Sequence, residues 1–401
     1  MPLPTGVAAV FPYSPNWAGP VKQGVEYKTN ILTSRDGTEQ RIALRSKPRE
    51  TLGYQILLEG QDAAEFEYRM WGLQPHVLMM PCWPRQRRLS VAAVLGTNQL
   101  VLDNPTQDGI RAGDEWILLA GDTYEVVTLD SVSADRKTLT LSDNLTLDWP
   151  KWSKTFPAWR VQCAAEVRSS KLTSGVVKAP LLFKRLVDAN PIATREATAD
   201  QMLGSLEVLT RRFNWNRPLE ISHSWVAQFI DAEIGPFGYD TERDLPVRIF
   251  KGELLLDSRT EVDWWLAFFD RVHGRQTPFL MPTWQDDLLL QTPLGGSTFE
   301  VAGTHLGTYQ AKNPIHTHLM VRKKDGSLAF FTIDNIIADS GLGITSITTT
   351  EAWDETYGPE ECPFVCFMST VRLVNDSLEI RWITDEVAKL ILVVQTVEDV
   401  V

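Results

Sequence analysis

Three histidines, His305, His316 and His318, fall close together late in the chain. A His-x-His pair on a strand would put both rings on one face, where a metal ion could bind. A third ligand would have to come from a distant loop, so a polar strand edge is the preferred reading. Cys362 and Cys366 lie four positions apart with Pro363 between them. That spacing suits zinc poorly, and no second pair completes a four-ligand set. Together with Cys82 and Cys163 they are too few and too scattered for a disulfide scaffold. They read as small buried hydrophobes in a chain from a reducing compartment.

Paired carboxylates offer a second chemistry. Asp286-Asp287 and Glu360-Glu361 could serve as a glycosidase dyad, with some of the fourteen tryptophans lining a sugar groove. Core packing accounts for Trp71, Trp83, Trp265 and Trp284. Trp149, Trp152, Trp159 and Trp353 remain as exposed platforms for a glycan or a partner, and sugar-binding rings between Trp149 and Trp159 should be exposed and coplanar. No Gly-x-Ser-x-Gly elbow occurs, and the Gly-x-Gly of SGLGIT (340–345) reads as a turn between strands. No convincing catalytic, metal-binding or cofactor-binding constellation emerges, and the expectation is a protein that is not an enzyme.

A net charge of -12 argues against wrapping nucleic acid, which needs clustered Lys and Arg. The short run Arg85, Arg87 and Arg88 reads as a solvated loop. An acidic surface suits a wall past which a polyanion slides without sticking. The first residues carry no basic n-region, and no window approaches the roughly 20 apolar residues of a membrane span. A chain that is soluble and intracellular when made is therefore expected.

The elements that must position these residues occur twice. LMMPCW (78–83) is answered by FLMPTW (279–284), 201 positions on, and TLDSVSAD (128–135) by TIDNIIAD (332–339), 204 on. Asn16-Trp17 with Pro20 is answered by Asn214-Trp215 with Pro218, and Pro48-Arg49 by Pro246-Val247-Arg248. Cys163 with Val167-Arg168 is answered by Cys366 with Val371-Arg372. Ordered landmarks at nearly one spacing indicate an internal repeat, with copy one at about 10–185, copy two at about 210–401 and a connector at 186–209.

Each copy begins with alternating apolar residues that predict a strand, at 25–34 and 220–230, and a second strand follows at 51–59 or 245–256. Helical spacing predicts helices at 62–72 and 259–274, stopped by Gly72 and Gly274, with Val262, Trp265, Leu266, Phe269 and Val272 as a core stripe. Short strands then predict a small β module, from 99–102, 115–121, 124–132 and 137–143 in copy one and their counterparts in copy two. The expected fold is mainly β: sandwich or split-barrel units, each with one flanking helix and a small extra β module. The first unit spans 1–90 and 160–185 around a module at 91–159, and the second spans 210–290 and 362–401 around a module at 291–361.

One stretch, TNILTSRDGTEQRIALRSKPR (29–49), reads as a hairpin turning at Asp36-Gly37, with Arg35, Glu39, Arg41 and Arg45 charging its edge. With Asn16-Trp17 and the SRDGTEQR core at 34–41, it resembles the N-terminal region of tail proteins of long, flexible-tailed bacteriophages, best the baseplate ring component called the distal tail protein. The resemblance is strongest over 25–90. Copy two departs from it, carrying DAEIGPFGYDTERD in place of the core.

The resemblance implies a virion protein of the tail tip that rings the tail channel and joins the tail tube to the hub and receptor-binding fibres. Implied partners are further copies of itself, the tail tube and tape measure proteins, and hub and fibre proteins, while DNA passes through without specific binding. Arg35, Asp36, Gly37, Thr38, Glu39, Gln40 and Arg41 form the implied assembly interface. Two tube-type units per chain let three chains imitate a six-fold ring; a true hexamer, with copy two hung outside, is the simpler alternative. The rivals are a glycan-binding or glycan-cleaving tail protein and a cellular β-sandwich scaffold.

Overall fold

A computed structural model describes residues 6–34, 37–106, 110–121, 123–186, 199–214, 217–225, 227–231, 233, 235, 237–241, 246–309, 316–362 and 364–397. The chain is mainly β, with a few flanking helices. In the first half the principal strands are β1 (Val21–Glu26), β2 (Thr29–Thr33), β3 (Glu39–Ala43), β4 (Arg49–Glu59), β5 (Leu78–Pro81), β6 (Gln99–Val101), β7 (Glu115–Ala120), β8 (Thr123–Val132), β9 (Thr138–Leu141), β10 (Lys154–Cys163), β11 (Ser170–Thr173) and β12 (Val176–Arg185). Helix α1 (Gly60–Leu73) joins β4 to β5. In the second half they are β13 (Glu220–Ser224), β14 (Ala227–Ile230), β15 (Gly238–Thr241), β16 (Val247–Leu256), β17 (Phe279–Pro282), β18 (Leu294–Ala302), β19 (His318–Arg322), β20 (Leu328–Asp339), β21 (Ile344–Tyr357), β22 (Phe364–Leu373), β23 (Ser377–Trp382) and β24 (Ala388–Thr396). Helix α2 (Arg259–Val272) joins β16 to β17.

The pairings run in one order in both halves. β1 lies on β4, β4 on β12 and β12 on β10, through the antiparallel rungs Gln23–Leu52, Leu52–Phe183 and Phe183–Cys163. β13 lies on β16, β16 on β24 and β24 on β22, through Ile221–Phe250, Phe250–Val394 and Val394–Leu373. β10 then carries β5 and β7, and β22 carries β17 and β19. Register slips between Leu129 and Ser131 where β8 meets β9, and between Ile333 and Asn335 where β20 meets β21. An unpaired residue at corresponding points bends both strands alike. One sequence landmark falls away: the rung held by Cys163 is held in the second half by Leu373, whereas Cys366 sits mid-strand opposite Met320.

Alternation explains the strands. In β4, Glu50, Leu52, Tyr54, Ile56 and Leu58 are buried on one face, as a period of two requires. The single strand expected at 25–34 is split: the Tyr27 amide still bonds to the Asp376 carbonyl, in line with the β1–β23 rungs, and β2 then leaves that sheet to pair with β3. The stretch 220–230 breaks in the same place.

Helix α2 opens on Ser258, whose hydroxyl accepts from the Glu261 amide at 3.3 Å, a cap satisfying one unpaired donor of the first turn. It closes with His273 and Gly274, both left-handed at φ 50° and 67°. A Cβ at Gly274 would lie 2.7 Å from Asp376 Oδ1 and 3.2 Å from Tyr27 Cβ, so glycine serves both turn and contact. The stripe Val262, Trp265, Leu266, Phe269 and Val272 is buried. Gly72 does not stop α1, which runs through it to Leu73.

The largest apolar cluster draws on both halves, joining Leu52, Ile56 and Phe183 with Phe250, Trp265 and Trp382. Leu100, Trp116, Leu139 and Trp149 belong to a separate cluster, and Phe299, Leu319, Phe331 and Ile347 to another. No described helix is long and apolar enough to cross a membrane.

Candidate functional site

The two halves meet edge to edge. β1 pairs antiparallel with β23 over six rungs, from Val21–Trp382 to Glu26–Ser377, so the sheet continues from one half into the other. Across this seam the buried Trp382 Nε1 donates to Gln23 Oε1 at 3.1 Å. The Arg85 guanidinium lies 5.6 Å from the Trp382 ring centre and pairs with Asp263 of α2. Arg85 and Arg87 are buried, which corrects the reading of that run as a solvated loop.

Tyr27 extends the seam onto α2. Its hydroxyl donates to Asp270 Oδ1 at 3.0 Å, and its ring lies 5.6 Å from Phe269 and 5.3 Å from His273. Asp376 accepts from the Thr29 amide at 2.7 Å, the Thr29 hydroxyl at 2.9 Å and the Arg275 amide at 3.0 Å. Burial pushes the Asp376 carboxyl up, but these donors and the Arg275 charge outweigh it and hold the group below the usual carboxylate range.

The hairpin singled out in the sequence folds onto this seam. Gly37 supplies its turn at φ 100°, and Arg35 and Asp36 lie outside the described residues. Glu39 accepts two guanidinium bonds from Arg372 in β22, at 2.7 and 2.8 Å, and Arg41 lies 3.6 Å from the same carboxylate. Glu39 and Arg41 therefore serve a junction within the chain, which corrects their expected place on an outward surface. Thr38 and Gln40 are exposed.

The tryptophans divide differently from expectation. Trp149 is buried, donating to Glu125 Oε2 at 2.7 Å, and Trp159 is buried with the Arg185 guanidinium 4.8 Å from its ring centre. Neither is an exposed platform, so the aligned rings that a sugar site between them needs are missing. Trp353 is half-buried, stacked on Phe331 at 4.8 Å. Trp152 is exposed at the rim of an open groove of about 1120 Å³ lined also by Tyr124, Asp62 and Glu65. Trp71, expected in the core, is 81% exposed and meets the exposed Tyr68 edge-on at 6.1 Å.

The histidines do not converge. His316 stacks on Phe367 at 4.6 Å, with Nδ1 3.2 Å from Ser369 Oγ and Nε2 3.2 Å from Arg248 Nη1. His318 Nδ1 lies 2.8 Å from Thr317 Oγ1, and His305 opens a short helix at His305–Tyr309. Among the described residues no three His, Cys, Asp or Glu side chains form a metal-holding group. Asp287 accepts from the Phe367 amide at 3.0 Å and Glu361 from the Gly358 amide at 2.8 Å, so one carboxylate of each pair secures a backbone amide. All four cysteines are buried, and burial pushes the Cys366 thiol up to about 12.

Burial, reinforced by the Arg248 charge, pushes the His316 imidazole down to about 4. Below its ordinary pKa of about 6.5 the unfolded chain binds a proton that the folded chain refuses. Stability tied to His316 is therefore complete above that pH and falls as pH drops towards 4. His316→Phe is expected to flatten the melting temperature across this interval; an unchanged slope would contradict the assignment.

Two free edges complete the surface. Every residue of β13 is exposed and its one described neighbour is β16; every residue of β11 is exposed and its one described neighbour is β12. Such edges are templates for another strand. No protein-family model matches the sequence, and no curated protein matches it.

Proposed function

We propose that the chain is a duplicated β unit of split-barrel or sandwich type and acts as a structural protein of a phage tail tip. In this reading it closes as a ring around the tail channel and links the tail tube to hub and fibres. The seam carries the proposal: two halves with corresponding pairings already join strand to strand, leaving both counterpart edges free. An assembly built by repeating such a join uses backbone hydrogen bonds and buried aromatic contacts, with no reactive group. The resemblance of 29–49 to distal tail proteins supplies the setting, and the net charge of -12 suits a channel wall facing DNA.

Three chains supply six units, the number a six-fold tube presents. The seam favours this arrangement over a hexamer with its second half hung outside, because it aligns the two halves as neighbours in one sheet. The particle mass of the purified protein tests the proposal. The expected value is three times the 45.2 kDa of the chain. A single-chain mass at every concentration would refute it.

A further inference from the structure

The seam inside the chain specifies a second one between chains. We infer that β13 of one chain pairs antiparallel with the edge of the next copy at 166–170, where the chain enters β11, and that Trp225 of the first packs on the Met70–Trp71 face of α1 in the second. The inference rests on the duplication proposed above and names the strands that close the ring.

The register follows from corresponding rungs. Lys22 pairs with Gly53 and Glu220 with Lys251, at matching positions of β1 and β13 on the strands beside them. Arg381 pairs with Lys389 and Ser170 with Lys178, at matching positions of β23 and β11. Lys22 pairs with Arg381 across the existing seam. Glu220 therefore faces Ser170 of the next chain. Both are exposed, and their own strands leave that edge free among the described residues.

An independent observation meets the same joint. Tyr27, one residue beyond β1, packs on Phe269, Asp270 and His273 near the end of α2. One residue beyond β13 stands Trp225, which is 52% exposed. Counted from the caps of the two helices, Glu59 and Ser258 at the start and Gln74 and His273 at the end, the positions answering Phe269, Asp270 and His273 are Met70, Trp71 and Gln74. Helix α2 is buried over most of its length, whereas α1 buries Ala63, Phe66 and Met70 and leaves Tyr68 and Trp71 in solvent. Two large exposed aromatics at matching places of an unfilled joint are the pair that a neighbouring copy would bury, and desolvated tryptophans are frequent anchors of interfaces.

Engineered cysteines test the pairing, since the natural ones are all buried. Directly opposed antiparallel residues have Cα atoms roughly 5 Å apart, within disulfide reach. Glu220→Cys and Ser170→Cys chains, mixed and mildly oxidised, are expected to give a covalent dimer at least ~10-fold above either chain alone, and the double variant a ladder ending in a closed species. Trp225→Ser is expected to raise the concentration needed for assembly at least ~10-fold while leaving the monomer's circular dichroism unchanged. Dimers from Glu220→Cys alone would overturn the inference by showing β13 paired with itself. Rings of the expected mass without the mixed cross-link would overturn the joint and leave the assembly reading standing. Monomers at every concentration would overturn both.

Discussion

Arg372→Ala is expected to destabilise the folded chain by about 3–5 kcal/mol, the range for removing one partner of a buried ion pair. The guanidinium and the Glu39 carboxylate are each 7% exposed and share two bonds of 2.7 and 2.8 Å. Among the described residues, truncation leaves Glu39 with the more distant Arg41 at 3.6 Å. It also removes the Arg372 bond to the Leu373 carbonyl. Urea unfolding measures the loss directly. The double variant Glu39→Ala with Arg372→Ala should lose less than the two single losses combined, because no charge is left stranded. A loss below ~1 kcal/mol in Arg372→Ala would show the junction to be solvent-screened, like an ordinary surface pair.

Trp382→Ala is expected to cost about 3–5 kcal/mol, as for other fully buried aromatics. Trp382 is fully buried, and its loss opens a cavity beneath Arg85. It also strips Gln23, itself 2% exposed, of an indole donor at 3.1 Å, and an unsatisfied buried amide adds about 1–3 kcal/mol. Trp382→Phe keeps most of the volume and loses the donor, so the two variants separate cavity from hydrogen bond. Hydrogen exchange locates the damage. Amides of β1 and β23 should lose protection before those of β8 and β9, whose apolar cluster is separate. Uniform loss of protection would contradict a seam that can loosen by itself.

Much of this arrangement is legible in the residues. Met-Pro-x-Trp at 80–83 and 281–284 marks the strand after each helix, and TLDSVSAD and TIDNIIAD mark β8 and β20 down to their shared irregularity. The α2 stripe was readable because helical spacing and burial agree there. Local pattern failed where a distant partner decides. Nothing near Tyr27 announces that the chain leaves β23 there and pairs β2 with β3 instead, so a strand expected to run unbroken from 25 to 34 is split. Trp71 fits a helical stripe, yet it lies on the solvent side of α1. Trp149 looks like a loop aromatic, yet the buried Glu125 carboxylate takes its indole N–H inside the small β module.

The hairpin shows the same limit from the other side. Its charges at Glu39 and Arg41 read as a guarded outer edge, a sound rule for a strand facing water. The Arg372 that joins Arg41 on the Glu39 carboxylate comes from far along the chain, and sequence spacing carries no trace of that approach. No local pattern therefore marks the seam, whose strands alternate like any others.

Rotational averaging of electron-microscope images of the purified protein tests the central claim most directly. The proposed duplication, with its halves joined edge to edge, predicts a ring with an open centre and six similar lobes, alternating in detail so that the true symmetry is three-fold. Isolated two-lobed particles under all conditions of concentration and salt would contradict it.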